Sequence, residues 1–215
     1  MIRILCYGDS NTWGYDPASG ERFEADIRWT GLLRKALASD RFEVIEEGLN
    51  GRTTVWDDPI EGHKNGREYL IPCLESHRPL DLVVIMLGTN DLKKRFSLSP
   101  LDISFGAAGL VDIVQGSRVG PFGKPPRVLL LAPPPVIETG EWSEMMEGAG
   151  QKSLKLSGHY RRRAEERRCG FLDAGETVVS SPVDGIHFEP AEHRKLGQVV
   201  AARVREMMQP GGGAG

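Results

Sequence analysis

Four short segments carry side chains suited to moving protons and attacking a carbonyl carbon. Gly8-Asp9-Ser10-Asn11 sets a hydroxyl directly after an apolar run. Asp184-Gly185-Ile186-His187 sets a carboxylate three residues before an imidazole. Such a carboxylate can hold the Nδ1–H and leave Nε2 free as a base. In Gly48-Leu49-Asn50-Gly51-Arg52-Thr53, Gly51 can turn a backbone N–H toward a ligand. In Gly88-Thr89-Asn90-Asp91, the Asn90 amide can donate to a developing negative oxygen. A nucleophile, an oriented base and two donors are the parts of acyl transfer through serine. Each part alone has a plainer reading. Ser10 fits a helix cap as well as a nucleophile, Gly51 a simple turn, Asn90 a cap or turn residue, and a lone histidine is more often structural or exposed.

The elements that must position these groups follow from hydropathy. Residues 2–7, 42–47, 80–87, 127–132 and 170–173 read as buried strands. The third contains Leu82-Val83-Val84-Ile85-Met86-Leu87, apolar at every position, which calls for cover on both faces. Helical stretches lie between them at 29–38, 67–77, 107–114, 154–168 and 190–208. Pro190 suits the first turn of the last one. This alternation predicts parallel β-α-β units with right-handed crossovers, hence one three-layer α/β/α domain over residues 1–208. The glycine-rich end, 209–215, reads as a flexible tail. The Pro/Gly-rich segments 119–126 and 133–135 read as surface loops. With strand order 2-1-3-4-5 the Ser10 loop falls between the Gly51 and Asn90 loops, at the point of a flavodoxin-like sheet where ligands bind.

Composition narrows the functional classes. Of 215 residues, 27 are Lys or Arg and 30 are Asp or Glu, a formal charge of −3. That balance makes no electrostatic case for nucleic acid or an anionic membrane. The longest apolar run is far shorter than the roughly 18 residues a membrane span requires. The 26 glycines, about 12% against a usual ~7%, fit many tight turns. Three unpaired cysteines, Cys6, Cys73 and Cys169, fit a reducing compartment. With a strand-like start at Met1-Ile2-Arg3-Ile4-Leu5, this points to the cytoplasm.

Taken in order, Gly8-Asp9-Ser10, the Gly51 loop, Gly88-Thr89-Asn90-Asp91 and Asp184-Gly185-Ile186-His187 resemble the four blocks of the SGNH (GDSL-type) hydrolases, over roughly residues 2–208. The bacterial arylesterase/acyltransferase branch is most similar, through Thr12-Trp13-Gly14, Glu47-Gly48-Leu49, Arg52-Thr53-Thr54, Asp57-Asp58-Pro59 and Ile85-Met86-Leu87. The chain departs from the name motif at Asn11, where the family has Leu. The resemblance implies a catalytic Ser10, Asp184 and His187, and an oxyanion hole from the Ser10 and Gly51 N–H groups and the Asn90 side chain. It implies a serine esterase for short acyl groups, such as aryl acetates or acetylated sugars, with acyl transfer to alcohols as a companion activity. It also implies a homo-oligomer whose neighbours narrow the site entrance.

Other residues are read against simpler roles. Trp13, three residues past Ser10, fits a wall of the substrate pocket or the core; Trp56 and Trp142 are open in the same way. Asp9 and Asp91 read as turn carboxylates bonded to backbone. His187 and His193 are six apart, the wrong spacing for a metal pair on one helical face. His63, His77 and His159 form no ligand cluster by spacing, and no dinucleotide or Walker-type fingerprint appears, so neither metal nor cofactor is expected. The competing readings are a thioesterase or lysophospholipase on the same groups and a non-catalytic carbohydrate-binding module.

Overall fold

The computed structural model describes residues 1–38 and 41–209. The expected tail, apart from Gln209, lies outside the described residues. In chain order the elements are β1 (Ile2–Gly8), α1 (Ser10–Trp13), α2 (Trp29–Ala36), β2 (Phe42–Gly48), α3 (Gly66–His77), β3 (Leu82–Met86), α4 (Pro100–Gly116), β4 (Arg127–Ala132), α5 (Ala149–Ser153), α6 (Leu156–Glu166), β5 (Gly170–Asp173) and α7 (Pro190–Met207). The five strands form one parallel sheet in the order β2-β1-β3-β4-β5.

Strand periodicity sorts the core into two layers, because successive side chains point to opposite faces. Leu5 and Tyr7, Val83 and Ile85, Val128 and Leu130 pack with α3, α4 and α6. Ile4 and Cys6, Val84 and Met86, Leu129 and Leu131 pack with α2 and α7. The result is the expected three-layer α/β/α fold. Glu46, near the end of β2, ties α2 to the sheet by bonding Arg28 at 2.6 Å, Thr30 and Arg34. Burial works against its charge, but the bonds from Arg28 and Thr30 and the Arg34 charge bring its pKa down to about 2.

Register sets the stage for chemistry. Gly8 is paired with Gly48 on one side and Met86 on the other, so β1, β2 and β3 end at one level. Their loops therefore emerge side by side. A Cβ on Gly48 would sit 2.1 Å from the Trp13 nitrogen, so the end of β2 needs glycine for α1 to lie across it.

Two helices differ from expectation. The helix expected over 107–114 begins at Pro100, because Ser99 and Asp102 form a capping box: the Asp102 N–H donates to Ser99 Oγ at 3.1 Å, and the Ser99 N–H to Asp102 at 3.2 Å. The helix expected over 154–168 is α6, two residues shorter at each end, and a further short helix, α5, precedes it across Leu154 and Lys155. No helix among the described residues is long and apolar enough to cross a membrane.

Candidate active site

Ser10 is the first residue of α1 rather than its cap. The cap is Asp9, whose side chain accepts the Asn11 N–H at 3.0 Å. This frees the Ser10 hydroxyl, which lies 2.8 Å from His187 Nε2. On the far side of the ring, His187 Nδ1 is 2.6 Å from Asp184 Oδ2. An ionised carboxylate only accepts, so Nδ1 carries the proton and Nε2 is left to accept the serine O–H. The other Asp184 oxygen accepts the Ile186 and His187 N–H groups, each at 2.9 Å. Ser10, Asp184 and His187 are all nearly buried, at 5%, 6% and 4% exposure. Burial pushes the Asp184 carboxyl up, but the His187 side chain and the two backbone donors outweigh it and hold the group below the usual range. The acid is thus kept charged by its own four-residue loop.

The two loops flanking Ser10 are locked to each other. In the turn 49–52, Arg52 N–H closes on Leu49 O at 3.1 Å, which leaves the Gly51 N–H out of the turn bond. Gly51 has φ +79°, a left-handed conformation that suits glycine. The buried Arg52 guanidinium donates to Gly8 O at 2.8 Å and also to Glu47 O, clamping the ends of β1 and β2. It lies over the Tyr7 ring, 4.2 Å from its centroid. Asn90 Nδ2 donates to Arg52 O at 3.2 Å, so its amide is anchored to the Gly51 turn rather than used as a helix cap. Asp91, next in sequence, accepts the Thr54 N–H at 3.0 Å and the Thr54 hydroxyl. Asp9 and Asp91 are thus buried turn carboxylates. Burial pushes their pKa values up to about 7 and about 6.

Ser10, Gly51, Asn90 and His187 meet at one cavity of about 220 Å³. Its walls are of two kinds. Tyr15, Trp142, Met145, Met146 and Ile186 give an apolar side. The Tyr15 ring stacks on His187 with centroids 4.1 Å apart, and Trp142 meets the same imidazole edge-on at 5.3 Å. Glu61 and Lys93 give a charged side. Lys93 is buried and bonded to Glu61, with Asp58 3.6 Å away, and Arg95 reaches both acids at 2.7 Å.

The expected pocket wall at Trp13 is not found there. Trp13 is not among the residues lining this cavity; its ring takes the Arg22 guanidinium at 5.3 Å. The left-handed Gly14 cap ends α1 immediately after Trp13, and it is Tyr15, past this bend, that reaches the imidazole. The glycine directly after Trp13 was the one hint in sequence. Trp56 also lies outside the cavity lining, whereas Trp142 is part of it. The Glu61–Lys93 pair had no sequence signal beyond two charges in loops.

A larger cavity, about 510 Å³, opens beyond the 48–52 turn against Arg52, Tyr69 and Pro72 and carries none of Ser10, Asp184 or His187. Nearby, Glu47, Cys73 and His77 bring ligand-type atoms within 4.8 Å of one another, a grouping that sequence spacing did not suggest because β2 supplies the glutamate. Glu47 and His77 already bond each other at 2.7 Å. Burial pushes the Cys73 thiol up to about 12. His193, fully buried, accepts the Trp29 N–H at 3.3 Å, and burial brings its pKa down to about 3, marking a neutral structural histidine.

Comparison with known proteins gives the family and the fold. The model of the GDSL-like lipase/acylhydrolase family matches residues 6–195. The native aryl esterase of M. smegmatis is 45% identical, with 97% of this chain and 100% of that chain covered and a TM-score of 0.92. Est24, a carbohydrate acetylesterase from Sinorhizobium meliloti, is 38% identical over 97% of this chain and 100% of that one, with a TM-score of 0.92. A lipolytic G-D-S-L family protein from Veillonella parvula shares the fold at 15% identity, over 95% and 98% of the two chains, with a TM-score of 0.68. Among curated protein sequences none matches. With the family's pattern running through nearly the whole chain, the protein belongs to the GDSL-like lipase/acylhydrolase family and is an ester-hydrolysing enzyme.

Proposed function

We propose that the chain is a serine esterase for short-chain carboxylic esters, acetyl esters foremost, working through an acyl-serine intermediate. The observation that carries this reading is the continuous relay from Ser10 through His187 to Asp184, opening on a small cavity. His187 Nε2 takes the Ser10 proton as Oγ attacks the ester carbonyl. Asp184 stabilises the imidazolium that forms. The oxygen of the tetrahedral intermediate is met by the Ser10 and Gly51 N–H groups and the Asn90 amide. As the intermediate collapses, the ester C–O bond breaks and His187 protonates the leaving alkoxide. Water, deprotonated by His187, then attacks the acyl-serine and releases the acid and the free hydroxyl. An alcohol in place of water gives a new ester, so acyl transfer accompanies hydrolysis.

The cavity, about 220 Å³, is below the roughly 300–1,000 Å³ of pockets for drug-sized ligands. This favours an acetyl-sized acyl group over a fatty chain. The aromatic wall suits an aryl leaving group, and the Glu61–Lys93 wall suits the hydroxyls of a sugar. The aryl esterase and carbohydrate acetylesterase neighbours support both substrate classes. Hydrolysis of p-nitrophenyl esters from C2 to C12, with acetylated sugars alongside, tests the proposal. The expected result is a C2 optimum. An optimum at C8–C12 would replace this reading with a lysophospholipase or thioesterase.

A further inference from the structure

We infer that Asn11 is a positioning residue for the Ser10–His187 pair, holding the histidine loop against the turn that carries the nucleophile. The inference rests on the triad reading above. Asn11 is 2% exposed, and its Nδ2 donates to the Ile186 carbonyl at 3.2 Å across 175 residues of sequence. Ile186 directly precedes His187, and Asn11 directly follows Ser10. Among the described residues, two hydrogen bonds join the turn 8–14 to the loop 181–188. One is the reactive Ser10–His187 contact; the other is Asn11–Ile186.

The rest of the histidine loop is anchored elsewhere. Gly185 O accepts the Ile137 N–H at 2.8 Å, from the segment after β4. His187 O accepts the Ser181 N–H at 2.7 Å, within the loop itself. Asp184 bonds only its own loop. These contacts fix the shape of the loop. The Tyr15 ring stacked on His187 holds the imidazole from one side, and the Asn11 amide ties the loop backbone to the turn that carries Ser10.

The choice of residue is informative. Asn11 Oδ1 is buried with no hydrogen-bond partner. A buried, unpaired acceptor works against stability, and leucine, the residue of the family's name motif, would remove it. Leucine would also leave the Ile186 carbonyl without this donor. Asparagine here exchanges one unpaired acceptor for a bond that spans the reacting pair. The consequence is a residue whose replacement moves rate without a matching change in stability.

The test compares Asn11→Leu and Asn11→Ala, both of which remove the amide donor to the Ile186 carbonyl. Pre-steady-state release of p-nitrophenolate from p-nitrophenyl acetate gives the acylation rate. Rates are taken per serine titrated with a fluorophosphonate, so unfolded protein cannot imitate the effect. Displacing a reacting group by about 1 Å can cost as much as 10²-fold, so a fall in acylation on the order of 10-fold is expected. The ester's dissociation constant from the same pre-steady-state fits should move much less than the acylation rate, and the Tm of Asn11→Leu should stay near the wild-type value. Wild-type acylation per titrated serine in either variant would overturn the inference. His187→Ala separates the two levels. If it also acylates at the wild-type rate, the triad reading falls and the strap with it. If only His187→Ala is impaired, the triad stands and the strap falls.

Discussion

Two buried carboxyl groups, Asp184 and Asp9, sit at the C-terminal edge of the same sheet and are driven in opposite directions. Asp184 receives three donors, from the Ile186 and His187 backbones and the His187 ring, and is held below the usual carboxylate range despite its burial. Asp9 receives the Asn11 N–H on one oxygen, while the other is buried without a partner, and burial pushes it up to about 7. Asp9 is the more deeply buried of the two and has fewer converging donors, and both differences raise its carboxyl relative to that of Asp184. A four-residue Asp-x-x-His loop carries its own compensation. The Gly-Asp-Ser turn does not, which suits an acid that caps a helix rather than one that balances an imidazolium.

Replacing each acid with its amide sharpens that contrast most strongly. Asp184→Asn removes the charge opposite His187 and lets the ring take the wrong tautomer. The expected loss in kcat is on the order of 10³–10⁴-fold with p-nitrophenyl acetate. Asp9→Asn mimics the protonated form and keeps the cap, so steady-state kcat should change far less. Equal losses in the two variants would break the comparison. Asn90→Ala follows in size. Loss of one oxyanion donor predicts a fall of about 10²–10³-fold in kcat, and an unchanged kcat would remove Asn90 from the oxyanion role.

Stability against pH gives a smaller effect with a definite sign. Asp9 and Asp91 have folded pKa values of about 7 and about 6, above the unfolded range. Their contribution is therefore full below about pH 4 and is lost as pH rises through 6 to 7. His193 runs the other way: its contribution is present above about pH 6.5 and is lost as pH falls toward 3. Asp9→Asn should accordingly raise Tm at pH 8, by at least about 2–4 °C for each kcal/mol of relief in a chain of this size, and leave Tm at pH 4 nearly unchanged. Thermal melts that show equal shifts at both pH values would contradict the Asp9 assignment. Smallest is the aromatic pair: Trp142→Ala should raise KM for aryl esters severalfold, whereas Trp13→Ala should leave it near wild type, because the Trp142 ring faces the cavity and the Trp13 ring faces Arg22.

The sheet was legible because continuous apolar runs such as Leu82–Met86 have few alternatives to a strand covered on both faces. The candidate site residues were legible because Ser10, Gly51 and Asn90 each follow a strand end by a few residues, in glycine-bearing loops, and Asp184 and His187 share a loop. Less legible were features created by chain geometry between elements. The Gly14 bend brings Tyr15, not Trp13, onto His187. The Ser99 capping box moves the start of α4 to Pro100, a local signal present in sequence but outweighed by the apolar run further on. Glu61 meets Lys93 across 32 residues, and Glu47 meets Cys73 and His77 only because β2 lies beside α3. Such pairings depend on loop paths that hydropathy does not encode.

The central claim is that Ser10 is a nucleophile activated by His187. The most direct measurement is reaction of the folded protein with a fluorophosphonate, followed by peptide mass mapping. The account predicts one adduct, on Ser10, formed far more slowly in His187→Ala. Folded wild-type protein that stays unlabelled, or carries the label on another residue, would contradict it.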